Sequence, residues 1–138
     1  MNLTFTRFVP GDLAQYSSWF GEADAARRPA PDADWRAYVM NGWAVRDETG
    51  ALVAVVEAGG DVSRGYVSVT VAPERRGHGI GGEAIRLFHA GPGSHFAVLE
   101  GRIAPDNAAS ISMIQKAGFV LISPEPDGDG LLRFEHRR

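Results

Sequence analysis

Apolar and polar residues alternate along much of the chain, with breaks at proline and glycine. Alternation predicts half-buried β-strands, whereas apolar residues recurring every three or four positions predict helices packed on a sheet. Seven segments have the strand pattern: 3–8, 42–47, 51–58, 64–73, 95–105, 119–123 and 131–136. The second, third and fourth are joined by short turns, which predicts an antiparallel meander.

Four segments have the helical pattern: 12–20, 32–40, 80–89 and 106–118. Asp12 is placed to cap the start of the first helix, and Gly118 closes the last one. The second helix begins near Asp32 or Asp34, after a loop over 21–33. We therefore expect one α+β domain over residues 1–138. Its mixed, largely antiparallel sheet has about six to seven strands, with about four helices on both faces.

Composition narrows the range of functions. A formal charge of −3 gives no basic face for nucleic acid. The chain has no cysteine, which excludes disulfides and thiol catalysis. No apolar run approaches the roughly 20 residues that span a bilayer, and the N-terminal residues do not resemble a signal peptide. A cytoplasmic protein with no membrane or nucleic-acid partner is expected.

The segment PERRGHGIGGEAIRLF, residues 73–88, has glycine at four of the six positions from 77 to 82 and then a helical pattern. Each glycine inside a helix costs roughly 0.5–1 kcal/mol relative to alanine, so stability alone does not explain them. Backbone amides and the positive end of a helix dipole converge at such a turn and favour an anion. Arg75 and Arg76 add charge, so the glycines predict close approach of a phosphate.

Three alternatives apply to this glycine segment. A tight strand-to-helix turn without a ligand remains open. A Walker loop is excluded because the only lysine, Lys116, is not in the motif. A dinucleotide fingerprint also remains open, since Gly77, Gly79 and Gly82 satisfy GxGxxG and Glu100 could meet a ribose. That fingerprint normally opens the first βαβ unit of a parallel sheet, whereas here it follows a meander.

Residues 69–88, VTVAPERRGHGIGGEAIRLF, resemble the coenzyme A motif of the GNAT N-acetyltransferase superfamily. Arg76, Gly79 and Gly81 occupy its defining positions, and Gly77 fits its common form. Residues 107–119, NAASISMIQKAGF, resemble a second family segment that follows about 30 residues later. The pattern is similar to the branch that acetylates ribosomal-protein N-termini, and the element order along the whole chain is GNAT-like.

The resemblance implies direct transfer of an acetyl group from acetyl-CoA, as co-substrate, to a primary amine on a small molecule or a peptide N-terminus. It implies no metal, and a monomer or homodimer. A non-catalytic GNAT-fold module that binds CoA or acyl-CoA is the alternative. The implied cofactor-binding residues are Val69, Thr70, Val71, Arg76, Gly77, His78, Gly79, Ile80, Gly81, Gly82, Asn107 and Ser110.

The proton-transfer groups depart from the family pattern. Ser68 and Ile114 stand where many members have a glutamate and a tyrosine. Glu100, a charged residue in an apolar strand, is the first candidate base, although an ion-paired carboxylate would look the same. Glu57 is the second candidate base, and Ser110 is a further candidate catalytic residue.

By resemblance, the acceptor groove lies between 20–36 and 123–131. Both segments are acidic and would suit a cationic amine. The final strand is expected to be an exposed edge at which two copies could pair.

Overall fold

The computed structural model describes residues 1–20 and 41–138. Its strands are β1 (Thr4–Arg7), β2 (Gly42–Arg46), β3 (Leu52–Gly60), β4 (Gly65–Val71), β5 (Val98–Ile103), β6 (Val120–Leu121) and β7 (Leu132–Arg137). The α-helices in the described ranges are α1 (Leu13–Ser17), α2 (Ile80–Ala90) and α3 (Ala108–Lys116). Short 3₁₀ turns occupy Pro10–Asp12 and Pro73–Arg75. The expected loop and second helix between residues 21 and 40 lie outside the described residues.

All seven strands form one sheet in the order β1-β2-β3-β4-β5-β7-β6. Every neighbouring pair is antiparallel except β4 and β5, which are parallel. The α+β class, the mixed, largely antiparallel sheet and the meander β2-β3-β4 are therefore confirmed. The expectation for the final strand was wrong, because β7 lies between β5 and β6 and not at an edge.

The two faces of the sheet bury different apolar clusters because side chains alternate along each strand. On the helix-pair face, which α2 and α3 cover, Val45, Val56 and Val67 pack with Phe88 of α2 and Ile114 of α3. On the α1 face, the residues that pack together are Tyr16, Trp19, Ala44, Leu52, Val55 and Ala72. Helices therefore cover both faces, as expected, and Trp19 belongs to the core at 4% exposure.

Asp12 precedes α1, but its carboxylate makes no capping hydrogen bond to that helix. It accepts the Val9 amide N–H at 3.2 Å and pairs with Arg46 at 2.7 Å. Asp12 therefore does not cap α1, and its carboxylate instead links the chain before α1 to strand β2.

Strands β4 and β5 pair over a short distance. The pairs are Gly65 with Leu99 and Tyr66 with Glu100, and β4 then runs on to Val71. Parallel strands that diverge in this way leave a V-shaped gap between their carboxyl ends. This divergence lies between the strand before the glycine segment and the strand after it.

Candidate functional site

The turn before α2 adopts a conformation that glycine favours. Gly77 has φ 81° and Gly79, the residue that caps α2, has φ 78°. Residues with a Cβ avoid this left-handed region at a cost of roughly 1–2 kcal/mol. No atom lies within 4 Å of where a Cβ would be at either position. The backbone at the start of α2 is therefore open to a ligand, and the unpaired amides of the first turn lie there.

Gly81 and Gly82 serve a different purpose. A Cβ at Gly81 would lie 2.7 Å from Met113 Sδ, and one at Gly82 would lie 3.1 Å from the Met113 carbonyl oxygen. Their missing side chains let α2 pack closely on α3. The four glycines predicted to serve phosphate approach thus divide into two that shape the turn and two that bring the helices together.

A cleft of about 370 Å³ lies at the start of α2, between α2 and α3. Its lining residues are Val71, Arg75, Arg76, Gly77, Gly79, Ile80, Gly81, Gly82, Glu83, Arg86, Ala109, Ser112, Met113 and Lys116. Four of them are basic, so the cleft combines helix-start amides with formal positive charge, as an anion site requires.

The basic side chains of the cleft are held by neighbours. Arg76 Nε donates to the Val71 carbonyl at 3.2 Å, and Arg75 Nη1 donates to Asp47 Oδ2 at 3.0 Å. Hydrogen bonding, chiefly from the Thr49 hydroxyl, lowers the pKa of Asp47 to about 2, so this carboxylate remains charged beside Arg75. Arg86 pairs with Glu83, one turn earlier on α2, at 2.5 Å.

Several residues of this cleft were missed by motif reading. Arg86, Ser112 and Met113 lie outside the matched positions but fall at helical spacing from residues that match or flank the motifs. Spacings of three and four along α2 and α3 could have found them, because such residues share one helix face. The sequence could not show, however, that these faces of α2 and α3 pack beside each other and enclose one cleft.

Five of the predicted cofactor residues are not among those that line the cleft: Val69, Thr70, His78, Asn107 and Ser110. His78 is exposed. Asn107 caps α3, where its Oδ1 accepts the Ser110 amide N–H at 3.3 Å. Val69 and Thr70 lie on β4 beyond its last pair with β5, with side chains on opposite faces of the sheet.

Glu100 lies at the point where β4 and β5 diverge, but it is 1% exposed and enclosed by arginines. Its Oε1 accepts from Arg133 Nη2 at 2.6 Å and from Arg64 Nη1 at 3.1 Å. Arg102 Nε lies 3.4 Å from Oε2. The Glu100 carboxylate raises the pKa of Arg133, which reflects the strength of this contact. Glu100 is thus the centre of an ion-paired cluster, the alternative role that its place in the sequence also allowed.

Arg64 and Arg102 extend this cluster to neighbouring acids. Arg64 Nη2 also donates to Glu135 Oε2 at 3.0 Å, and this contact lowers the pKa of Glu135. Arg102 lies 3.5 Å from Asp127 and 3.8 Å from Asp129. Two of the acids expected to attract an amine from the 123–131 segment, Asp127 and Asp129, thus lie beside an arginine. Their expected counterparts in the 20–36 segment lie outside the described residues.

A second cavity, of about 230 Å³, lies over β3 and β4. Its lining residues are Asn41, Glu57, Ala58, Gly59, Tyr66, Val67 and Ser68. Glu57 is 6% exposed, and the Tyr16 hydroxyl donates to its Oε1. Its Oε2 is buried and has no hydrogen-bond partner in the described part of the chain. Glu57 is the cross-strand partner of Ser68, the position where the family often has its glutamate.

The other position that departs from the family pattern is part of the core. Ile114 is 3% exposed, and its Cδ1 lies 2.4 Å from where a Cβ on Gly101 of β5 would be. An isoleucine there packs α3 against β5. Within residues 1–20 and 41–138, no group of three or more acidic or histidine side chains could hold a metal ion, and no helix is long and apolar enough to cross a membrane.

Solved structures show the same fold. A spermidine N-acetyltransferase SpeG chimera from Vibrio cholerae and hSSAT superposes with a TM-score of 0.78 at 17% identity, covering 98% of this chain and 95% of that one. An aminoglycoside acetyltransferase AAC(6')-Ib in complex with coenzyme A and kanamycin has a TM-score of 0.79 at 17% identity, covering 99% and 95%. A domain from Methanocaldococcus jannaschii has a TM-score of 0.78 at 14% identity, covering 99% of each chain.

Comparison by sequence finds no match among curated proteins. The model of the acetyltransferase (GNAT) domain, however, matches residues 2–120. That stretch contains the glycine turn, the cleft between α2 and α3 and the divergence of β4 from β5. Because the match spans most of the 138 residues, the chain belongs to the GNAT acetyltransferase family.

Proposed function

We propose that this protein transfers an acetyl group from acetyl-CoA to a primary amine. The observation that carries the proposal is the cleft at the start of α2, which is lined by the first turn of that helix, two left-handed glycines and four basic side chains. This arrangement suits a pyrophosphate, which needs many donors and offers negative charge to the helix dipole. Several of the solved structures with this fold are described as complexes with coenzyme A.

The proposed contacts follow the shape of the cleft. The amides of residues 76–82 hold the pyrophosphate, and Arg76, Arg86 and Lys116 add charge. The backbone of residues 69–71 runs alongside the pantetheine arm where β4 and β5 diverge. Asn107 and Ser110, at the start of α3, remain proposed contacts through the family resemblance.

Acetyl-CoA supplies the activated acyl group, and the protein's part is to align it with the amine. The cleft lies on the helix-pair face, whereas the Glu57 cavity lies on the α1 face. The gap between β4 and β5 joins the two sides, so the reacting groups can meet within the sheet. Alignment of this kind removes much of the entropic barrier to a bimolecular reaction and needs no nucleophilic side chain.

Glu100 and Ser110 have no part in proton transfer in this proposal. Glu100 is occupied by three arginines, and Ser110 is not among the residues that line the cleft or the Glu57 cavity. We propose that Glu100 fixes β5 to β7 at the point of divergence, so its role is to hold the site together. One domain over residues 1–138 and a cytoplasmic location complete the proposal.

Release of free CoA thiol tests the proposal. The protein is mixed with acetyl-CoA and a panel of amines that includes alkylamines, polyamines, aminoglycosides, amino acids and peptide N-termini. Amine-dependent release is expected with at least one class. Stabilisation by CoA without release from any amine would favour a non-catalytic CoA-binding module. Stabilisation by a nicotinamide dinucleotide and not by CoA would contradict the proposed cofactor.

Arg76→Gln provides a test within the cleft. Because a charge-assisted contact to phosphate is worth about 1.5–3 kcal/mol, KM for acetyl-CoA should rise about tenfold or more. Arg137→Gln is the matched control, since Arg137 is exposed at the end of β7 and does not line the cleft. Equal KM values for the two variants would contradict the assignment of the cleft.

A further inference from the structure

The cavity over β3 and β4 has a feature that packing does not explain. Glu57 is buried, with 6% of its surface exposed. One of its two carboxylate oxygens has no hydrogen-bond partner in the described ranges. A buried carboxylate oxygen without a partner costs roughly 1–3 kcal/mol or more. Glu57 lines the cavity, so the oxygen without a partner belongs to a side chain at the wall of this space.

We propose that Glu57 binds the ammonium group of the acceptor and takes its proton, with Tyr16 as the residue that positions the carboxylate. This inference rests on the proposed acetyl transfer and names the class of acceptor. The acceptor is an aliphatic primary amine whose stem next to nitrogen is apolar.

The position of Glu57 relative to the gap supports this role. Glu57 is paired with Ser68 across β3 and β4, and directly opposed residues have Cβ atoms about 5 Å apart. Ser68 lies just past the last β4–β5 pair, where the gap between the strands begins. The free oxygen of Glu57 is therefore one strand away from the proposed path of the acyl group.

Tyr16 gives Glu57 a fixed orientation. Its ring is 1% exposed and packed edge-on against Phe8, Trp19 and Phe20. Its hydroxyl donates to Glu57 Oε1, which leaves Oε2 for the ligand. A buried hydrogen bond of this kind fixes the orientation of the carboxylate, with Oε2 as the proposed contact of the ammonium.

The other residues that line the cavity indicate which kind of carbon chain the acceptor amine carries. Gly59 and Tyr66 are cross-strand partners beside Glu57, and no atom lies within 4 Å of where a Cβ on Gly59 would be. The glycine leaves space on the side of β3 that carries Glu57, with the half-exposed Tyr66 ring opposite. On this side of the sheet the lining is the Tyr66 ring and the bare Gly59 backbone, while Ala58 and Val67 turn their side chains to the helix-pair face and contribute only main chain, so an alkyl stem fits better than a hydroxyl-rich one.

The reaction moves two protons off the ammonium nitrogen and exchanges one C–S bond for one C–N bond. The ammonium R–NH₃⁺ gives one proton to Glu57, leaving R–NH₂ and a carboxylic acid. The amine nitrogen attacks the acyl carbon, the C–N bond forms and the C–S bond breaks. The second proton lost from nitrogen goes to the departing thiolate, and the Glu57 proton returns to solvent.

Two probes separate proton removal from binding. With n-butylamine, Glu57→Gln should lower kcat/KM about 100-fold or more, the usual range for loss of a general base. With aminoacetonitrile, which is already neutral at pH 7, the deficit should shrink to less than about tenfold, because no proton has to be removed first. Glu48→Gln is the matched control, since Glu48 is an exposed glutamate in the β2–β3 turn.

Tyr16 and Gly59 test the geometry. Tyr16→Phe should lower kcat for n-butylamine while KM for acetyl-CoA stays the same. Gly59→Val suits a strand, and its side chain would occupy the open space, so it should raise KM for n-butylamine more than it lowers kcat. Wild-type protein should prefer n-butylamine to 6-amino-6-deoxyglucose, which presents the same CH₂–NH₂ group on a hydroxyl-rich ring.

Calorimetric titration of n-butylamine into protein saturated with CoA measures binding of the amine without any acetyl transfer. Binding weakened at least tenfold by Glu57→Gln and unchanged by Glu48→Gln supports the amine site, even if acetyl transfer itself is absent. Turnover retained in Glu57→Gln, or equal deficits with the two amines, overturns the role of Glu57 and leaves acetyl transfer standing. Absence of n-butylamine binding together with absence of its turnover overturns the site, and preference for the aminosugar overturns the acceptor class.

Discussion

At the scale of single residues, the fold brings His89 and His136 together in a hydrogen bond between their rings. Nδ1 of His89 and Nδ1 of His136 lie 2.6 Å apart, and His89 Nε2 lies 2.9 Å from the Phe96 carbonyl oxygen. A carbonyl oxygen only accepts, so Nε2 of His89 carries a hydrogen, and one of the two facing Nδ1 atoms donates to the other. Burial, with a smaller contribution from His89, lowers the pKa of His136.

This pair predicts a pH dependence of stability. A histidine whose pKa is lower in the folded state contributes stability that is complete above its unfolded value of 6.5 and declines as pH falls below it. His136→Asn should therefore have a smaller decrease in unfolding free energy between pH 7 and pH 5 than the wild type. Urea denaturation across that range measures it, with His78→Asn, at an exposed histidine, as control. Equal pH slopes in His136→Asn and wild type would contradict the prediction.

Glu100 leads to a second prediction at the residue scale. Removing the charge from this buried carboxylate takes away the shared partner of three partly exposed arginines and so destabilises the fold. Glu100→Gln should lower the melting temperature strongly while the folded fraction keeps most of its kcat for an amine. Glu125→Gln, at an exposed glutamate after β6, should change neither quantity. A stable Glu100→Gln protein with kcat reduced about 100-fold would restore Glu100 as the base.

At the scale of elements, the start of α2 separates ligand binding from packing. Gly79→Ala places a Cβ on a residue with φ 78°, at a strain of roughly 1–2 kcal/mol, and alters the amides that face the cleft. It should weaken CoA binding by more than its effect on stability alone would suggest, because the cap must reorient. Titration with CoA, together with chemical denaturation, measures both effects.

The control for that prediction is Gly81→Ala, on the same helix but packed against Met113. Its Cβ would press on the end of a flexible side chain, so stability should fall through packing while the turn keeps its conformation. If Gly79→Ala and Gly81→Ala lost CoA affinity in the same proportion to stability, the division of the glycines would be wrong.

At the scale of the whole molecule, the sheet consists of two antiparallel parts joined by the short β4–β5 pairing. Gly65 lies in that joint, and a Cβ there would be 2.5 Å from the Phe96 ring. Gly65→Ala should destabilise the protein by about 1–3 kcal/mol, the usual cost of overpacking a rigid core group. Urea denaturation measures it, and Gly59→Ala, where a Cβ meets no atom within 4 Å, should stay within about 0.5 kcal/mol. Equal losses would show that the joint is not tightly packed.

The sequence alone determined the number of strands and their order along the chain, the meander, the two motif helices and the glycine turn between β4 and α2. These features depend on local rules: alternation along strands, helical repeats, capping by Asn107 and the need for glycine at left-handed positions such as Gly79. Strand ends were less accurate, as with the 119–123 segment, of which only Val120–Leu121 pairs. Pairing depends on a partner strand that local pattern does not contain.

Only the tertiary structure decided what surrounds each charged residue. Sequence placed both Glu57 and Glu100 as single carboxylates in apolar strands. Strand order then brought arginines from distant segments to Glu100 and left one oxygen of Glu57 beside a cavity, next to a tyrosine 41 positions away. The order β5-β7-β6 likewise moved the final strand from the edge to the interior of the sheet. The chemical role of a carboxylate depends on its neighbours in space, and those are fixed only when the chain has folded.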